Sequence, residues 1–189
     1  NADDRLQTAQ AKRDVLMADS EISSTLNEDG DYATFDKRYS EHMAKARESA
    51  AARIQNKESR ELFLIDTDMT VSRGRESVRR VAWDKEVREG QRQTGVDVDA
   101  MLDGALRSPD TRIRAEFLSA IGERVDAVGE DGKRYFTAAE AEELKQATGA
   151  RYAVGWLESL PLKDQVSALE KVHGTATAML PEPERSQRL

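Results

Sequence analysis

Apolar and polar positions alternate along this chain with the period of helices. From Ala2 to about Leu26, Leu6, Ala9, Leu16, Met17 and Ile22 recur among charges, the pattern of a weakly amphipathic helix. The polar run "NEDGD" from Asn27 to Asp31 breaks it. In "YATFDKRYSEHMAKARESAAARIQ", Tyr32, Phe35, Tyr39, Met43, Ala46, Ala50 and Ile54 follow at spacings of three and four, a single-faced helix. A second long helix is predicted from near Ser59, with Leu64, Val71 and Val78 one heptad apart and Val81 and Ala82 continuing the stripe. Gly74 interrupts it, at a cost of about 1 kcal/mol relative to Ala, and marks either a close approach of another helix or a bend.

"TGVDVD" at Thr94–Asp99 reads as a break, followed by a short helix ending before Ser108. Ser108 then stands in the N-cap place, with Pro109 at the first helical position and Asp110 in the first turn. Ile113, Phe117, Ala120, Ile121 and Val125 form the expected buried face of the helix so started. After a turn holding Gly129 and Gly132, with Tyr135 and Phe136 packing across it, Thr137 and Glu140 form a capping box. Its helix runs from about Ala138 to Thr148, closed by Gly149, with a further helical segment at Tyr152–Leu157. Pro161 starts a last helix carrying Val166, Leu169 and Val172, ended by His173-Gly174. No segment alternates with period two.

The predicted fold class is therefore all-α, an extended array or bundle of about six to eight helices. Its expected organisation is an N-terminal helix over 1–26, a long-helix hairpin over 27–95, a C-terminal helical subdomain over 96–174 and a polar, Pro-containing tail over 175–189. Composition agrees: of 189 residues 38% are hydrophobic, 5% aromatic and 34% charged, which suits narrow apolar stripes under broad charged faces. The start at Asn1 and the linker-like "LPEPERSQRL" suggest a piece of a longer polypeptide.

A net charge of −7 argues against a dedicated nucleic-acid binder. The exception is the cationic run Arg73, Arg75, Arg79, Arg80, Lys85, Arg88 and Arg92, but Glu76, Asp84, Glu86 and Glu89 interleave it, as on a salt-bridged helix face. Nucleic-acid contact is thus expected to be weak at most. No cysteine is present, which excludes disulfides and thiolate metal sites. No apolar run approaches the roughly 20 residues that span a bilayer, so the segment is expected to be soluble.

Two acidic, Gly-containing loops invite a calcium reading, which demands oxygen ligands at loop positions 1, 3 and 5, Gly at 6 and Glu at 12. With Gly132 at position 6, Ala127 and Ala138 fall at positions 1 and 12; with Gly129 there, Arg124 falls at position 1. "TLNEDGDYATFD" places Asn27 and Asp29 at positions 3 and 5 of Gly30, yet position 1 is Thr25 and position 12 is Asp36. Both loops are expected to be structural, the second an Asx-type turn with Asp31 as N-cap.

No residue set forms a catalytic, cofactor or metal site. His42 and His173 lie far apart, His173 in a last turn where a cation suits the helix dipole. The sequence Gly-x-Ser-x-Gly is absent. Glu158-Ser159, in "GWLES", echoes the Glu-Ser pair of lytic transglycosylases, but the downstream stretches of those enzymes are missing, and Trp156 and Leu157 read as anchors of a helix to the core.

"GDYATFDKRYSEHMAKARESAAARIQNKESRELF", then a long charged helix, "RSPDTR" and a Gly-containing turn into "FTAAEAEELK" resemble the internal or ejection (DNA-transfer) proteins of tailed bacteriophages over roughly Asp29–Glu170. The resemblance implies a non-enzymatic helical segment of a virion protein, assembling with copies of itself or with other virion proteins. In several such proteins a peptidoglycan-cleaving domain stands elsewhere in the chain. The alternative reading is a fragment of a peptidoglycan-cleaving, virion-associated hydrolase of the lytic transglycosylase type, whose catalytic residues would lie unrecognised in this chain, and a third is a cytosolic helical adaptor.

Overall fold

The computed structural model describes residues 2–129 and 132–171, with side chains through 168. The expected helix end at His173-Gly174, the apolar Val172 and the tail over 175–189 lie outside these residues. The fold is all-α. Among the described residues six helices follow one another as α1 (Ala2–Glu28), α2 (Phe35–Ala52), α3 (Lys57–Arg107), α4 (Thr111–Val125), α5 (Ala138–Ser159) and α6 (Leu162–Lys171), with one 3-10 turn over Tyr32–Thr34. Among the described residues the only extended pairing is an isolated antiparallel bridge between Val128 and Arg134. The chain divides into two compact units, residues 1–86 and 87–189, and α3 contributes to both.

In the first unit α1, α2 and the first part of α3 enclose one core. α2 buries Phe35, Tyr39, Met43 and Ala50, and Ile54 beyond its end is also buried, the face that its spacing predicts. α1 departs from expectation. Its buried residues are Ala11, Val15, Ile22 and Leu26, while Leu6, Leu16 and Met17 lie exposed. In α3 the stripe sits one residue earlier than predicted: Phe63 and Thr67 are buried and Leu64 is on the rim, with Val71, Val78, Val81 and Ala82 following as expected. Thr67 is tolerated because its hydroxyl donates to the Phe63 carbonyl at 2.8 Å and so is not left unpaired.

Where the three helices meet, the Tyr39 hydroxyl donates to Asp19 Oδ1 at 2.6 Å. Burial, and then the Asp19 carboxylate, push the phenol above its ordinary range. A β-carbon on Gly74 would overlap the Tyr39 hydroxyl and the Asp19 carboxylate. Of the two roles open to this glycine, the structure shows the close approach. At the end of α2 the Arg60 guanidinium donates twice to the Ile54 carbonyl, at 3.0 and 2.7 Å, tying the turn to the start of α3.

In the second unit Val98 and Leu102 of α3, Ile121 and Val125 of α4 and Ala141 of α5 form the core. The predicted break at Thr94–Asp99 is absent, and α3 runs through it. Thr94 and Val98 are buried, and this packing outweighs the few tenths of a kcal/mol by which β-branched residues disfavour a helix. α5 likewise continues through Gly149 to Ser159, because Thr148, Ala153 and Leu157 keep one face buried across that glycine.

The N-cap of α4 is Asp110, in extended conformation, its carboxylate accepting from the Arg112 amide at 2.8 Å; it replaces the expected Ser108. Asp is at least as good a cap as Ser, and the Ser108 hydroxyl accepts instead from the Asp110 amide at 3.3 Å. Ile113 stays about a third exposed, at 37%, and Phe117 is half-buried, so the buried α4 face is narrower than predicted. The Thr137–Glu140 capping box is present as predicted. Gly132 takes φ +79°, which only glycine adopts freely, as the turn requires. Tyr135 does not pack across that turn; its ring lies against Gly90 of α3, and Gln91 Nε2 donates to its carbonyl at 2.8 Å, while Phe136 joins the core of the unit.

Candidate interaction surface

The loop from Asn27 to Asp36 carries the densest polar chemistry of the first unit. Asp29 Oδ1 accepts from the Asp31 amide at 2.8 Å, closing an Asx turn, and Oδ2 accepts from Arg38 at 2.6 Å. These two donors, the amide first, hold Asp29 below the usual carboxylate range. Asp31 precedes the 3-10 turn, but its side chain caps no amide there; it accepts instead from the Thr34 hydroxyl at 3.1 Å. Asp36 is gripped by two guanidiniums. Arg75 donates to both its oxygens at 2.6 and 2.7 Å, and Arg79 at 2.8 and 3.1 Å. Arg75, then Arg79, hold this carboxyl well below the usual range against the opposing effect of partial burial.

Lys85 completes the arrangement by donating to the Asn27 and Asp29 carbonyls, each at 2.9 Å. An ammonium from α3 therefore occupies the carbonyls that a cation in this loop would seek, and the Asp29 and Asp36 carboxylates face arginines. Among the described residues no group of three or more His, Cys, Asp or Glu is placed to hold a metal. The cationic run of α3 is thus divided in use. Arg80 pairs with Glu76 and Arg92 with Glu89 along the helix, as interleaving predicts, whereas Arg75, Arg79 and Lys85 fasten the loop to α3.

Glu158 is exposed near the end of α5, and the neighbouring Ser159 hydroxyl donates to the Trp156 carbonyl at 2.6 Å. Trp156 is half-buried beside Ala153, and Leu157 is buried. A glycosidic general acid needs an apolar pocket to raise its carboxyl, and an exposed Glu158 lacks one. His42 is half-buried on α2.

One surface of the first unit is unlike the rest. α1 and α3 run side by side in the same direction, linked by Lys12 Nζ and Asp66 Oδ2 at 2.6 Å. Beside this ion pair lies a groove of about 430 Å³ lined in part by Leu16, Ile65 and Met69. A second hollow, of about 520 Å³, continues past Lys12 and Asp66 to Leu62. Leu16, Leu62, Ile65 and Met69 are all more than half exposed, at 55, 57, 69 and 61%. Single exposed apolar side chains need no explanation, but a row of them along one groove marks a contact surface. Sequence reasoning missed this row because it sought one stripe per helix; the signal is the three-then-four spacing of Leu62, Ile65 and Met69, offset from the buried Phe63 and Thr67. Comparison of the chain with family models, curated proteins and solved structures finds no match.

Proposed function

We propose that this chain is a non-enzymatic helical assembly segment of a larger virion protein, of the internal or ejection type, working through helix-to-helix contacts with other virion proteins. The observation that carries the assembly part is the exposed row Leu16, Leu62, Ile65 and Met69 along the α1–α3 groove. Apolar area left in water is the ordinary driving term for association, and a helix laid in such a groove would remove it. The virion part rests on the sequence resemblance over roughly Asp29–Glu170. The exposed Glu158 gives no support to the hydrolase alternative.

A photo-crosslinking residue at position 69, introduced into the protein in its native setting, tests the reading. The expected result is adducts with helical segments of virion proteins. Absence of adducts removes the assembly reading, and clearing of purified cell walls by the chain, abolished in Glu158→Gln, replaces it with the hydrolase one.

A further inference from the structure

The groove has a built-in symmetry. Glu58, Leu62, Ile65, Met69 and Arg73 follow one another along one face of α3 at spacings of four, three, four and four, and all five are exposed. Glu58 and Arg73, at the two ends, make no ion pair among the described residues. The midpoint of this row falls between Ile65 and Asp66. Turned end for end about that midpoint, the outer positions of the row match: Leu62 exchanges with Met69 and Glu58 with Arg73, while Ile65 lies half a residue from the midpoint, close enough for two copies of it to meet there.

We propose that the occupant of this surface is a second copy of the same chain, its α3 antiparallel to the first, with the two Ile65 side chains at the centre of the seam. The proposal rests on the assembly reading above and names its partner. An antiparallel copy sets Leu62 of each chain against Met69 of the other and brings Glu58 of each to Arg73 of the other. A parallel copy would instead oppose Glu58 to Glu58 and Arg73 to Arg73, so charge selects the antiparallel orientation. The three-then-four spacing of the apolar residues is that of a helix-on-helix seam. Two-fold pairing uses the same patch on both partners and closes on itself, so the product is a dimer rather than a filament.

Sedimentation equilibrium of the full chain, from low micromolar toward millimolar concentration, tests this. The expected result is a reversible monomer–dimer equilibrium that weakens as salt screens the end charges. Ile65→Asp, at an exposed position that leaves the fold and the helical circular dichroism intact, is expected to raise the dimer dissociation constant by at least about tenfold. Glu58→Arg and Arg73→Glu should each weaken the dimer, by placing like charges together at both ends. The double variant should recover it, an outcome that only mutual pairing of these two positions produces.

A chain that stays monomeric throughout overturns the proposal. So does a dimer indifferent to Ile65→Asp, or one that dissolves on Leu162→Asp in the exposed first turn of α6. A monomer whose probe at position 69 still crosslinks to another virion protein removes self-pairing and leaves the assembly reading standing; loss of both results removes both.

Discussion

At the scale of the residue, the first unit depends on three side chains from three helices: Asp19 of α1, Tyr39 of α2 and the missing one of Gly74 in α3. Gly74→Ala poses two opposed effects. Alanine favours an isolated helix by about 1 kcal/mol. Its methyl, however, overlaps the Tyr39 hydroxyl and the Asp19 carboxylate, and overpacking of this kind costs about 1–3 kcal/mol, besides breaking the hydrogen bond. The expected net effect is destabilisation, read as a lower urea midpoint; a rise would mean that Tyr39 swings away without loss. Tyr39→Phe should cost about 1 kcal/mol at neutral pH. It should also remove an alkaline dependence whose sign follows from the phenol. The folded state holds it above its ordinary value of 10.0, so the unfolded chain loses the proton first. The stability it contributes is complete below about pH 10 and falls as pH rises beyond it. The close approach at Gly74 was legible as one of two options. Its partners were not, because Asp19 and Tyr39 meet only through the fold, 20 residues apart in sequence.

At the scale of the element, local signals were read well and partner-dependent ones poorly. The Thr137–Glu140 box depends on four consecutive residues, and it formed as predicted. Thr137→Ala should therefore cost about 1 kcal/mol, seen as faster amide exchange in the first turn of α5 and little change in α2. The α2 face was legible because its large apolar residues all point one way. α1 was not, since its buried face includes Ala11, and the large Leu6, Leu16 and Met17 that draw the eye point outward. The continuity of α3 through Thr94–Asp99 was hidden for a related reason: burial of Thr94 and Val98 is a property of the packed unit and not of local propensity. The Asn27–Asp36 loop shows the same division. Its failed calcium register was readable, but Lys85, far along the chain, could not be foreseen as the cation it holds. Millimolar calcium should consequently leave the melting temperature unchanged, because a ligand that binds the native state must raise it. A rise reversed by chelator and lost in Asp29→Ala would restore the metal reading.

At the scale of the whole molecule, the charge pairs act together on acid stability. Asp29, Asp36, Glu89, Asp97, Asp126 and Glu140 all lie below their ordinary ranges. The leading cause for each is a hydrogen bond: for Asp97 from Gln93 and then Arg124, for Asp126 from Lys145, for Glu89 from Arg92 and for Glu140 from the Thr137 amide. A carboxyl depressed in the folded state binds protons first in the unfolded chain, so its contribution is present above about pH 4 and is lost as pH falls through the folded value. Removal of negative charge also leaves the 29 Lys and Arg increasingly unopposed, and this self-repulsion acts in the same direction. The urea midpoint should accordingly hold from about pH 7 to pH 5 and fall steeply toward pH 3. Most of these pairs are solvent-accessible and screened, so each alone contributes little. Asp36, held by two bidentate arginines, should stand out. Asp36→Asn should cost about 1–2 kcal/mol at neutral pH and visibly less near pH 3, where this carboxyl has begun to protonate in the unfolded chain but is still ionised in the folded one. If the loss is the same at both values, Asp36 contributes through packing of the loop against α3, and the acid slope belongs to the remaining carboxylates.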